Sequence, residues 1–220
     1  MFRDLNEAHV RFLNAESVGV TTQWISWPEY TILTENLIAF SKLADGAALD
    51  QKTRGERDRY WDLRRVLRGT PIHPSEYFDS SIPVADVDLN SELGKSLSRL
   101  RESVKVLCTT ENPMRIEMLQ HFASNPSLAS SSDNKAYLLV SNKSVSKVNE
   151  ILLAESFDGN LVQAMKLNQA RKLEAAEIMF IFGAPENHAN YFKKGIEKSR
   201  EVAWLFNSPA ARKILIYQLA

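Results

Sequence analysis

The chain has 220 residues, one cysteine, and 27 basic against 27 acidic side chains, so its formal net charge is zero. No overall field draws it to nucleic acid or to an anionic membrane, which leaves only a local patch for that purpose. The single Cys108 excludes an intramolecular disulfide, no apolar run approaches the roughly 20 residues of a membrane span, and no signal-peptide pattern is visible, so a reducing cytoplasm is the expected compartment.

Residues 1–18 place Phe2, Leu5, Val10, Phe12 and Leu13 among charges, as in a short amphipathic helix, with Gly19, Thr21 and Thr22 as its exit. Trp24 and Trp27 follow three positions apart, two large apolar surfaces suited to anchoring a protein partner. Pro28 fits the first turn of a helix over 29–43, where Ile32, Leu33, Leu37, Ile38, Phe40 and Leu43 keep helical spacing.

A third helix is predicted over 49–67, the most charged stretch of the chain. Lys52, Arg54, Arg57, Arg59, Arg64, Arg65 and Arg68 outnumber Glu56, Asp58 and Asp62. Arg54, Arg57, Arg64, Arg65 and Arg68 form a candidate phosphate-binding face, with Tyr60 and Trp61 placed to stack on bases. The plainer alternative is a solvated helix face laced with i,i+3 and i,i+4 ion pairs, with Trp61 and Leu67 pointing into the core. Prolines 71, 74 and 83 turn 69–89 into an irregular connection holding one short turn, and a helix resumes over 90–106 behind an Asn90 or Ser91 cap.

From residue 109 the pattern changes. A helix capped by Thr109 or Thr110 and buried through Met114, Ile116, Leu119 and Phe122 leads through a polar loop, 125–135, into strands alternating with helices. Strands are expected at 136–141, 160–165, 178–183, 202–206 and 214–219, with helices at 144–155, 168–175 and 185–199. The continuous apolar run from Ile178 to Phe182 is that of a strand covered on both faces, placing it near the middle of the sheet. The expected architecture is therefore α/β: a mainly helical region over 1–108, then a Rossmann-like, mostly parallel sheet of about five strands over 109–220.

Chemistry is sought at the carboxyl edge of that sheet, where open α/β sheets bind ligands. The first strand runs into Ser141, Asn142, Lys143 and Ser144 without a glycine, so it carries neither a P-loop nor a dinucleotide fingerprint, though its helix start offers amides to an anion. After the third strand come Glu186, Asn187 and His188. These are the candidate catalytic residues, an acid/base pair with an orienting amide, joined by Asp158; the same residues also suit an ordinary helix N-terminus. His9, His73, His121 and His188 are scattered and no metal-binding spacing occurs, so neither metal nor cofactor is expected. Cys108 is read as a small buried residue.

The order of features from Thr110 onward resembles the second RecA-like lobe of superfamily II helicase-related proteins. The likeness rests on a helix opening with Glu111, Asn112 and Pro113, the strand at 136–141 followed by a helix, a second short strand, and a strand ending in the FGAPENH segment 182–188. Walker A and Walker B sequences and the closing arginine motif of active helicases have no counterpart. The resemblance thus implies a lobe that keeps the sheet without the catalytic residues, with nucleic acid as its natural partner. The expected function is a non-catalytic interaction module of a larger helicase-related or bacterial defence assembly, meeting a protein partner or nucleic acid. The alternative is a hydrolase or transferase acting on a nucleotide or phosphorylated substrate.

Overall fold

The computed structural model describes residues 19–78, 85, 87–124, 135–140, 144–154, 162–166, 169, 172–173, 176–182 and 199–206. They form an α/β protein with five parallel strands, β1 (Gly19–Trp24), β2 (Ala136–Val140), β3 (Val162–Lys166), β4 (Ala176–Phe182) and β5 (Ser199–Phe206). The helices are α1 (Pro28–Asp45), α2 (Gln51–Arg68), the single turn α3 (Pro74–Tyr77), α4 (Glu92–Cys108), α5 (Pro113–Ala123) and α6 (Val145–Ala154). None of them is long and apolar enough to cross a membrane.

Contacts divide the chain into two units, and not at 108/109. A sheet unit gathers 1–25, 68–71 and 113–220, and a helical unit gathers 26–67 and 72–112.

In the sheet unit the strand order is β1-β5-β4-β2-β3. β4 lies in the middle, as its continuous apolar run predicts, and Ile178 through Phe182 are all buried. At the edge, β3 alternates instead: Val162 and Ala164 are buried while Gln163 is exposed. α5 supplies aromatic cover to the middle strand, with Phe122 5.0 Å and the His121 ring 5.7 Å from Phe180. Its buried residues are Met114, Met118 and Phe122, so Met118 takes the place expected of Leu119, and Ile116 is exposed. α6 is joined to β3 by Asn149, whose side-chain oxygen accepts from the Ala164 amide at 2.8 Å.

β1 corrects the sequence reading. The stretch expected to be the exit of a helix is a strand, paired in parallel with β5 from Gly19↔Glu201 to Trp24↔Phe206. The strand expected at 214–219, the helix expected at 1–18, that at 185–199 except for Ser199, which opens β5, and most of the one at 168–175 lie outside the described residues.

The helical unit packs one shared core, in which Leu33, Leu37 and Phe40 of α1 meet Leu63 and Leu67 of α2 and Leu97, Leu100 and Leu107 of α4. Pro28 opens α1 within its first turn. α4 is capped by Ser91, whose hydroxyl accepts from the Gly94 amide at 3.0 Å. The proline-rich connection yields the short turn α3, held by a reciprocal cap between His73 and Glu76.

Candidate functional site

Asp50 immediately precedes α2, and its carboxylate accepts from the Thr53 amide at 2.7 Å. This satisfies one of the orphan donors of the first turn, and the same hydrogen bond holds the Asp50 carboxyl below its ordinary value. Thr53, Glu56, Tyr60, Leu63, Val66 and Leu67 are the buried residues of the helix. Glu56 is the departure from expectation. Read in sequence as a surface acid offsetting the arginines, it is only 1% exposed.

Four donated hydrogen bonds explain how a carboxylate stands there. Arg101 of α4 grips both oxygens through Nε at 2.8 Å and Nη2 at 2.9 Å, the Tyr60 hydroxyl donates at 2.6 Å, and the Ala85 amide donates at 2.8 Å. The Arg101 Nη2 also donates to the Ala85 carbonyl at 2.6 Å, closing the network. Burial alone would raise the Glu56 pKa, but the hydrogen bonds from Arg101, Tyr60 and Ala85 outweigh it and hold the carboxyl below its ordinary value. Burial and the bond to Glu56 push the Tyr60 phenol well up, so it remains a donor.

With Glu56 turned inward, the outward acids of residues 52–65 are Asp58 and Asp62, set against Lys52, Arg54, Arg57, Arg59, Arg64 and Arg65. Positions 54, 57, 61 and 64 recur at steps of three and four, with Arg65 adjacent, so Arg54, Arg57, Trp61, Arg64 and Arg65 share one stripe distinct from the buried one. Arg54 and Arg65 are exposed. Arg57 lies 3.6 Å from Asp45 and 3.4 Å from Asp58, and Arg65 lies 2.6 Å from Asp62. These are surface pairs with solvated acids, each contributing about 0–1 kcal/mol. Arg64 is more firmly set: its Nε donates to Thr34 Oγ1 at 3.2 Å and its guanidinium lies 5.2 Å from the Trp61 ring centroid. Arg68, the last residue of α2, groups with the sheet unit.

Neither aromatic of the helix is left open to stack on bases. Tyr60 is buried, stacked 5.6 Å from Phe78. Trp61 is half-buried, with its indole N–H donated to Ser41 Oγ at 3.1 Å and the Arg64 guanidinium over its ring.

The tryptophan pair is also separated in role. Trp27 is 3% exposed and stacks 5.5 Å from Tyr30 in the helical core, so it is a packing residue and not a partner anchor. Trp24 ends β1 with 45% exposure. A groove of about 300 Å³ runs between α1 and α4, with Ile32 and Val106 as its apolar lining and Glu29, Arg99 and Glu102 beside them.

At the sheet, the connection from β2 leads to β3 on one side, while β4 pairs with β2 on the other. The crevice between the carboxyl ends of β2 and β4, at Val140 and Phe182, is therefore a topological switch point. Glu186, Asn187 and His188 follow β4 in sequence and Ser141 follows β2, but all four, with Asp158, lie outside the described residues. Burial pushes the Cys108 thiol up, away from the thiolate a nucleophile needs. Among the described residues no three His, Cys, Asp or Glu side chains come together as a metal site would require. Among known proteins, no family model and no curated sequence matches this chain.

Proposed function

We propose that the chain is a non-catalytic interaction module whose helical unit meets the phosphate backbone of a nucleic acid along α2. The observation that carries this reading is the inward turn of Glu56: its charge is matched inside the unit by Arg101, so it does not offset the arginines at the surface. What remains along that stripe is a set of four guanidiniums, of which Arg54 and Arg65 are exposed and Arg57 and Arg65 sit in surface ion pairs weak enough for phosphates to displace. The resemblance of 110–220 to the second RecA-like lobe of helicase-related proteins supports the same partner and a place in a larger assembly. A protein partner of that assembly would meet other surfaces, of which exposed Trp24 is the first to test.

Fluorescence anisotropy with labelled nucleic acid at several salt concentrations tests the reading. Binding should weaken as salt rises, and Arg54→Ala/Arg65→Ala should bind less tightly with a salt slope smaller by about two. Both side chains are exposed, so the variant should keep the circular dichroism spectrum of the parent. Salt-independent binding, or a variant that binds as the parent does, would sink the proposal.

A second reading has one observation in its favour, the switch point between β2 and β4. A nucleotide or phosphorylated substrate held there would be hydrolysed or transferred with Glu186 and His188, which follow β4, as the acid/base pair and Asn187 as the orienting amide. A folded His188→Ala protein that hydrolyses nucleotides as fast as the parent would remove these residues from consideration.

A further inference from the structure

The arginine stripe has a property that the proposed phosphate contact does not by itself require. A surface built for single strands pairs its basic residues with aromatic faces on which unpaired bases stack. On α2 both aromatics are already committed. Tyr60 is 3% exposed and its hydroxyl is donated to Glu56. Trp61 is fixed at its edge by Ser41 and covered by the Arg64 guanidinium, which is itself tied to Thr34. A base could reach the covered face of Trp61 only by displacing Arg64, one of the guanidiniums the phosphates need.

The charges, by contrast, suit a duplex. From Arg54 to Arg65 the helix rises roughly 16 Å at about 1.5 Å per residue. A double helix presents one phosphate charge per about 1.7 Å of its axis on an outer surface, with its bases enclosed. Four guanidiniums on one helical stripe meet that surface without any base being unstacked. A single strand offers fewer charges over the same length, and its bases find no platform here.

Resting on the reading of α2 as a phosphate-binding face, we propose that its ligand is a double-helical nucleic acid held through the backbone alone. DNA and RNA duplexes share the required chemistry. The test is anisotropy of the full chain with a short mixed-sequence DNA duplex, the matching RNA duplex and the single strands of each, all at one moderate salt concentration. At least one duplex should bind on the order of tenfold more tightly than its single strands, and which duplex does so assigns the source.

Single strands that bind as tightly as duplexes, and still lose affinity in Arg54→Ala/Arg65→Ala, would overturn the duplex assignment while leaving the phosphate-binding face in place. Absence of binding to all four ligands would instead remove the face itself, and the assignment with it.

Discussion

Glu56 shows how one side chain changes the meaning of its neighbours. A carboxylate with 1% exposure is tolerated because Arg101, Tyr60 and the Ala85 amide supply donors to both of its oxygens. Removing the charge from one side of such a pair leaves the other stranded, and costs about 3 kcal/mol where the partner is well desolvated. Arg101 keeps some solvent contact, with 20% of its side chain exposed, so Glu56→Gln is expected at or just below that figure in chemical denaturation. The pH dependence follows from the sign of the shift. The Glu56 carboxyl lies lower in the folded chain than in the unfolded one, so its stabilisation is complete above the unfolded carboxyl value of about 4.3. It is then lost as pH falls through that value and the lower folded one. Glu56→Gln should therefore show a shallower loss of stability below about pH 5 than the parent, while an identical acid limb in the two proteins would contradict the assignment. Nothing in the local sequence marks Glu56 as different from Asp58 or Asp62. Its partner lies 45 positions away, and charge patterning along one helix cannot reveal a ligand from another.

Single elements show where local signals suffice. α1, α2 and α4 are legible because apolar residues repeat at helical spacing and because Pro28 and Ser91 mark two of their starts. β4 is legible for a different reason, a run of consecutive apolar residues that only a strand covered on both faces needs. β1 is not. Its sequence, GVTTQW, is short and polar, and what makes it a strand is pairing with β5 at a distant point of the chain. The candidate residues divide likewise. The α2 arginines could be placed on one helix from their spacing, whereas the cover over Trp61 and the burial of Trp27 depend on other elements.

α4 also carries a position at which a familiar rule reverses. Glycine to alanine inside a helix ordinarily stabilises by about 1 kcal/mol. At Gly94 an added Cβ would fall 2.1 Å from the Asp88 carbonyl oxygen and 2.9 Å from the Leu89 Cα, both backbone atoms. That backbone is pinned by two hydrogen bonds, since the Asp88 carbonyl accepts from the Ser91 hydroxyl at 2.6 Å and from the Ser91 amide at 3.1 Å. Gly94→Ala should therefore destabilise by about 1–3 kcal/mol, the range for overpacking. A thermal midpoint equal to or above that of the parent would show that the turn at 88–91 yields more easily than these contacts imply.

For the whole molecule, the division into two units has a direct test. Among the described residues, the core of the helical unit is assembled from residues between Trp27 and Leu107. A fragment spanning 26–112 is expected to give a helical circular dichroism spectrum and one cooperative thermal transition, as small domains with a complete core do. A fragment without helical signal would show that this core does not stand alone.

The pairing of β1 with β5 sets an order of events during synthesis. Gly19 emerges from the ribosome ahead of the other described strands, but its partner Glu201 is added only after β2, β3 and β4 have been made. The helical unit, complete once Asn112 is out, has all its contacts within reach long before then. Chains generally fold domain by domain as they emerge, and non-local parallel pairings are slow to close. The nascent chain therefore carries a folded helical unit behind an unpaired first strand, and among the described strands it is β1, not the hydrophobic middle of the sheet, that waits longest for its neighbour.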